Sequence, residues 1–165
     1  MNHSTKTALP MKSSKHQSGV GMVEVLVALV VMSVGMLGIA SLYVTTLQAK
    51  TTSLSRMKAV NLAYDIADRI RANSAAGAAY VLATSTVTTA TNCYAADCTA
   101  AQMAASDLNQ WHNMVTNPVT GLPGNVSRTI TRTAATGTMP EFFIITLNWT
   151  EVSSGPLSFA LQVRV

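Results

Sequence analysis

The feature that most constrains this chain is an apolar run from Val20 to Val44 that contains one charged residue, Glu24. These 25 residues are enough to cross a hydrocarbon core of about 30 Å at about 1.5 Å rise per residue. A carboxylate at the centre of a membrane helix costs roughly 2.5 to 3.5 kcal/mol on insertion scales. The sequence therefore predicts a membrane helix in which Glu24 has a functional role and needs a partner.

The residues before the apolar run predict its orientation. Residues 1–19 contain Lys6, Lys12 and Lys15 and no acid, and positive charge marks the cytoplasmic side of a membrane helix. A secretory signal would place its apolar stretch before a small-residue cleavage site, whereas here Gly19 precedes that stretch. We therefore expect a cytoplasmic N-terminus and a C-terminal part that faces outward.

The net charge of +4 is concentrated in that N-terminal segment. Without its three lysines the chain has eight basic and seven acidic side chains, which nearly balance. Proteins that bind nucleic acid usually show a clustered basic face on their folded part. We therefore expect no nucleic-acid partner.

The two cysteines, Cys93 and Cys98, lie close together in a stretch rich in threonine and alanine. A zinc site would need two further ligands, and beyond residue 19 the chain offers only His112. A disulfide closing a short loop is favoured, which implies an oxidising compartment and therefore export of the C-terminal part. We expect no metal and no cofactor.

Helical periodicity continues beyond the apolar run, so one helix is predicted over residues 20–73. No proline interrupts it, and Asp65 and Arg69 form an i,i+4 pair of the favoured sense. Its predicted inner face consists of small and aliphatic residues at helical spacing: Ala59, Leu62, Ala63, Ile66, Ala67 and Ile70. The second half of this helix is therefore expected to pack against a folded domain.

The rest of the chain predicts a small α+β domain. A loop is expected from Gly77 to Cys93, followed by a helix over residues 99–114. Alternating apolar residues between turn residues then predict three strands, over 125–133, 141–150 and 157–165. We expect these strands to form an antiparallel sheet against the amphipathic half of the long helix.

The stretch from Gly19 to Leu29 resembles the class III prepilin signal, in which a peptidase cuts after glycine and glutamate is the fifth mature residue. Gly19 and Glu24 fit that register, whereas a cut after Gly21 would make Glu24 the third residue and is rejected. The resemblance implies cleavage between Gly19 and Val20 and N-methylation of Val20. One departure is Val20 itself, since the first mature residue of the family is usually Phe or Met.

Three further segments resemble the minor pilins called type IV pilus modification protein PilV: Cys98–Trp111, Leu122–Gly124 and a strand that ends near Asn148–Trp149. This resemblance implies the type IV pilin fold, with a long N-terminal helix packed on a small antiparallel sheet. The implied segments are a leader peptide (1–19), a transmembrane half-helix (20–44), an amphipathic half-helix (45–73) and a periplasmic globular domain (74–165).

The function implied by the resemblance is that of a minor pilin that takes part in pilus assembly, in a priming or tip complex. Its implied partners are the prepilin peptidase, which is also the N-methyltransferase, other minor pilins, the major pilin and the inner-membrane assembly machinery. Glu24 would pair with the N-terminal ammonium of a neighbouring subunit. The subunit would leave the inner membrane for the pilus at the cell surface.

Three other functions are compatible with parts of the sequence. They are a minor pseudopilin of type II secretion, an adhesin or DNA-binding module displayed by the filament, and an uncleaved membrane anchor. An enzyme is not expected, because His112 is the only histidine beyond the leader. Trp111 is interpreted as a core residue, and His112, Asp65 and Asp68 as solvated.

Overall fold

The computed structural model describes residues 19, 21–83, 92–95, 97–152 and 154–165. The described elements, in chain order, are a long helix α1 (Met22–Ala72), a 3-10 helix (Ser74–Tyr80), a helix α2 (Ala100–Thr116) and the strands β1 (Ser127–Thr133), β2 (Phe142–Glu151) and β3 (Gly155–Arg164). This order confirms the predicted α+β class.

The chain divides into two compact units, Met1–Tyr43 and Val44–Val165. In the first unit every residue whose placement is described is exposed, although nearly all are apolar. Gly35 and Gly38, which lower helix propensity by about 1 kcal/mol each relative to alanine, do not interrupt α1 here. By length and composition, α1 contains a segment able to cross a membrane.

In the second unit α1 buries one face and exposes the other. The buried side chains are Ser55, Ala59, Ala63, Ile66, Ala67 and Ile70. Alanines at intervals of four residues present little volume, so other elements of the unit can approach the helix backbone closely. The predicted pair between Asp65 and Arg69 is confirmed, with Nε donating to a carboxylate oxygen at 3.0 Å.

Helix α2 starts at a capping box. Thr99 accepts a hydrogen bond from the Gln102 amide, and the Gln102 side chain accepts one from the Thr99 amide, so two amides that lack partners within the helix are satisfied. Trp111 is fully buried, and its Nε1 donates to the Leu62 carbonyl at 2.8 Å. This confirms its interpretation as a core residue and joins α2 to α1. Met103, on the same helix, is 37% exposed.

The three strands form one antiparallel sheet in the order β1-β2-β3. Ile145 in the central strand pairs with Ile130 on one side and Leu161 on the other. The buried side chains of β2 alternate as a half-buried strand requires: Phe143, Ile145, Leu147, Trp149 and Glu151. The strand ends lie within two residues of the predicted ones.

The segment after α1 differs from the prediction. A loop was expected from Gly77, but Ser74–Tyr80 forms a 3-10 helix in which Gly77 has φ +47°. Its alanines favour helix, Gly77 supplies the positive φ that other residues rarely adopt, and Tyr80 anchors its end by complete burial. Residues 84–91 of the predicted loop lie outside the described residues.

Candidate functional site

The N-terminal segment, residues 19–32, contains the start of α1 and Glu24. The amides of Glu24 and Val25 donate to the Gly21 carbonyl at 3.0 and 3.3 Å, so the helix begins directly after that glycine. Glu24 therefore lies in the first turn of α1, where the positive end of the helix dipole favours a carboxylate. Val20 lies outside the described residues, and so does the peptide bond predicted to be cleaved.

Glu24 has no cationic partner among the described residues of its own unit, since residue 19 and residues 21–43 include no lysine or arginine. The residue is exposed and borders a shallow depression that it shares with Val25, Ala28, Leu29 and Met32. The arrangement therefore presents one carboxylate beside an apolar surface on which another helix could pack.

Cys93 and Cys98 form a disulfide, as the sequence favours. Cys98 directly precedes the Thr99 cap of α2, so the bond ties the loop to the start of that helix. Within the loop the hydroxyl of Tyr94 donates to Gln110 Oε1 at 3.0 Å. The disulfide loop is therefore held against α2 at two points.

A polar cluster around Asp107 joins three elements of the second unit. Tyr80 donates to Asp107 Oδ2 at 2.5 Å, and Arg69 of α1 donates to Asp107 Oδ1 at 3.2 Å. Burial, together with the hydrogen bond to Asp107, raises the pKa of Tyr80. The side chain of Asp107, which is almost fully buried, thus connects α2, α1 and the 3-10 helix through charge-assisted bonds.

Two segments of the chain match models of known protein families. Residues 41–109 match the family model described as type IV pilin Tt1218, and residues 14–40 match the prokaryotic N-terminal methylation motif. The chain carries a type IV pilin domain behind a prepilin-type methylation motif. No curated protein and no solved structure matches the chain. A type IV pilin is a structural subunit rather than an enzyme.

These matches bear on the predictions made from the resemblance. The pilin domain, the methylation motif and the long helix with its small antiparallel sheet confirm the predicted type IV pilin fold and support a pilin subunit. The motif implies processing by prepilin peptidase and, with the apolar helix, membrane anchoring. The narrower PilV assignment remains a prediction.

The second unit also contains a buried acid that was not predicted from the sequence. Glu151, at the end of β2, is 7% exposed and accepts hydrogen bonds from Ser55 and, at 2.7 Å, from Thr52. Burial acts to raise the pKa of Glu151, but the bonds from Ser55, Thr52 and Trp149 outweigh it and hold the pKa below its usual value. The hydroxyls of Ser55 and Thr52 on α1 thus bind the ionised carboxylate of Glu151 at the end of β2.

The prediction that His112 is solvated is only partly right, because the residue is half-buried. His112 Nδ1 is hydrogen-bonded to the guanidinium of Arg128, a β1 residue that is 1% exposed. Burial and the charge of Arg128 both lower the pKa of His112, so the neutral ring accepts this bond. The companion prediction for Asp65 and Asp68 is partly wrong, because Asp65 is half-buried beside Arg69 while Asp68 is exposed.

The residues missed from the sequence share one property. Asp107, Glu151 and Arg128 are charged and buried, and each binds residues from another element of the second unit. The only sequence signal lies in β1 and β2, where Arg128 and Glu151 occupy the inward positions of the alternating pattern. A charged residue in an inward position indicates a buried polar contact.

Proposed function

We propose that this chain is a minor pilin of the type IV pilus and takes part in pilus assembly in a priming or tip complex. The observation that carries the proposal is the position of Glu24. It lies in the first turn of α1, without a cationic partner among the described residues of its unit, and behind a methylation motif that covers residues 14–40. The PilV-like segment from Cys98 to Trp111 supports a minor role.

The proposed topology follows from the charge distribution and the apolar helix. Residues 1–19 form the leader that is removed on the cytoplasmic side, residues 20–44 cross the inner membrane, and residues 45–73 continue the helix. Residues 74–165 complete a globular domain in the periplasm. Assembly then moves the subunit from the inner membrane into the pilus.

The proposed role of Glu24 is to set the register between subunits. After cleavage, Val20 carries an ammonium, methylated or free, at the start of the mature chain. When helices of neighbouring subunits pack together, this ammonium lies beside the Glu24 carboxylate of the next subunit. An apolar surrounding strengthens the attraction, and a misaligned subunit leaves a buried charge unpaired, which costs several kcal/mol.

Mass spectrometry of the N-terminus of the protein purified from membranes and from sheared filaments tests the processing step. We expect a mature chain that begins at N-methylated Val20. A chain that retains Met1 in both fractions contradicts the proposal and indicates an uncleaved anchor.

Substitution of Glu24 tests the pairing. Glu24→Gln keeps the shape of the side chain and removes its charge, so we expect normal cleavage and methylation but little incorporation into filaments. Ser33→Ala is the matched control, because the Ser33 hydroxyl donates to the Leu29 carbonyl of its own helix. Equal incorporation of Glu24→Gln and wild type would exclude the pairing.

The abundance of the subunit and the effect of its deletion distinguish the related roles. We expect a few copies per filament, together with loss of pili and normal type II secretion in the deletion strain. A subunit as abundant as the major pilin contradicts the minor role. A secretion defect with normal pili instead identifies a minor pseudopilin.

A further inference from the structure

Along the outer edge of β3, alternate residues direct their backbone groups away from β2, where no described strand pairs with them. The amide of Val165 donates to the Glu141 carbonyl at 3.2 Å, which makes this a hydrogen-bonded pair of the antiparallel ladder. Such pairs alternate with non-hydrogen-bonded pairs. The amides of Leu157, Phe159, Leu161 and Val163 therefore point toward β2, and those of Ser158, Ala160, Gln162 and Arg164 point away from it.

The opposite edge of the sheet provides an independent check. The same alternation, continued across β2, directs the amide and carbonyl of Ile130 away from β2. Ile130 indeed exchanges two hydrogen bonds of 2.9 Å with Leu82. The edge at β1 thus has a partner from the chain, whereas no described strand or bridge pairs with the outer edge of β3.

Pro156 fits this pattern. It pairs with Thr150 at a position whose amide would point outward, so the missing N–H removes nothing from the ladder. The proline therefore closes one end of the edge and leaves the following four outward positions able to pair.

The remaining edge lacks the features with which proteins usually prevent strand addition. Between Leu157 and Val163 there is no charged residue, no proline and no glycine, whereas exposed edges are commonly protected by charges, prolines or bulges. Leu157, Phe159 and Leu161 are also only partly buried against the core. An added strand would cover these side chains as well as satisfy the backbone.

We propose that the outer edge of β3 binds an extended segment of a different pilin subunit of the same assembly, as an added strand. The inference rests on the proposed function, since it requires a filament or priming complex. The segment would carry apolar residues at every second position, facing Leu157, Phe159 and Leu161, and an acid opposite Arg164.

The charge of Arg164 argues for this occupant. Arg164 is exposed and has no ion pair among the described residues, so it is available to a carboxylate of a partner. A second copy of this chain pairing through β3 would not supply one, because β3 contains no acid. Opposite charges across neighbouring strands stabilise the pairing.

Residue-resolved hydrogen exchange on the full chain tests the proposal, in detergent micelles and in filaments. In filaments we expect the amides of Ser158, Ala160, Gln162 and Arg164 to exchange at least roughly tenfold more slowly than in micelles, because they become hydrogen-bonded. The amides of Leu157, Phe159, Leu161 and Val163 are the internal control and should be protected in both states.

The outcomes separate this inference from the proposed function. If the subunit is absent from filaments, the proposed function fails before the edge is tested, and the inference falls with it. If it is present and the outward amides exchange as fast as in micelles, only the strand addition is excluded. Protection that appears in micelles and increases with protein concentration assigns the edge to a second copy and overturns the proposed occupant.

Two variants test the backbone and the charge separately. Ala160→Pro removes one outward N–H, which is the group that Pro156 also lacks. We expect it to lower incorporation into filaments roughly tenfold. Ala160→Thr keeps the N–H and is the control. Arg164→Glu should reduce incorporation severalfold while Arg164→Lys retains it. Unchanged exchange of the inward amides verifies that Ala160→Pro and Arg164→Glu fold. If both variants fold and are incorporated as well as wild type, the proposal is contradicted.

Discussion

Helix α1 passes through both units of the molecule, and its two parts differ in what surrounds them. Residues 22–43 expose large apolar side chains such as Leu37, which is 71% exposed. Residues 44–72 bury alanines and isoleucines in the core of the second unit and form ion pairs there. One continuous helix thus combines a part whose described side chains are all exposed with a part that its own domain stabilises.

The comparison shows that helix propensity alone does not distinguish the two parts. Both lack proline and both are helical throughout, but among the described residues only the second part has buried side chains. The apolar surface of the first part must be covered by lipid or by other helices, since exposed apolar area of this extent is unfavourable in water. Substitutions should therefore affect the stability of the folded domain only in the second part.

The largest expected effect is that of Trp111→Ala. It removes a fully buried ring that packs on the second part of α1, so we expect a loss of about 3 to 5 kcal/mol in the free energy of unfolding. Urea titration of the full chain in detergent, followed by tryptophan fluorescence, which in the variant comes from Trp149, measures it. Leu37→Ala, in the first part of α1, should leave this transition unchanged. An equal loss would show that the first part of α1 also stabilises the folded domain.

Asp107→Asn should have the next largest effect. The change keeps the shape but removes the charge that binds Arg69 and Tyr80, and hydrogen bonds to charged groups contribute about 1.5 to 3 kcal/mol. The same titration should show a loss in this range. Asp97→Asn is the matched control, because Asp97 is exposed; similar losses in both variants would show that Asp107 does not tie α2 to α1.

The stability of the domain should also decrease in mild acid because of His112. Its pKa is lowered in the folded state by burial and by Arg128, so the unfolded chain binds the proton more readily. The contribution of His112 to the free energy of unfolding is therefore fully present above its pKa in the unfolded chain, about 6.5. It is lost as the pH falls from there toward the lower pKa of His112 in the folded state.

For this partly exposed ring we expect a loss below about 1 kcal/mol, because solvent screens the charge. Unfolding titrations from about pH 7 to 5.5 measure it in wild type and in His112→Gln, whose profile should be flatter. Parallel profiles for the two proteins would exclude His112 as the origin.

The smallest effect is expected on the exposed face of α1. Asp68 forms an i,i+3 pair with Arg71 at 2.8 Å, but its side chain is 72% exposed. Such pairs contribute about 0.2 to 0.5 kcal/mol, so Asp68→Ala should shift the urea midpoint only slightly. The shift should also disappear at high salt; a loss comparable to that of Asp107→Asn would mean that this face is covered within the subunit.

The fold was predictable because its signals are periodic and local. The alternation in β2 and β3 and the spacing from Ala59 to Ile70 follow from which face is buried, and the cap at Thr99 lies within four residues. The 3-10 helix was missed because a short alanine-rich segment around a glycine has no clear period, and burial of Tyr80 decides its conformation.

The candidate site was predictable only in part. Gly19 and Glu24 stand out in the sequence because a charge in an apolar run is conspicuous. Asp107, Arg128 and Glu151 were not identified as buried, because each binds residues of other elements: the bond from Ser55 to Glu151 spans 96 positions. No local sequence window contains both Ser55 and Glu151, and the fold alone brings them together.

The bond between Cys93 and Cys98 can also report the history of each subunit. Disulfides persist in oxidising compartments, whereas cytosolic reductants keep thiols free. The described part of the chain contains no free cysteine, so an exported subunit should react with an alkylating reagent at neither thiol and a retained one at both. Counting alkylated sites on the intact chain would therefore distinguish retained from exported subunits without any added tag.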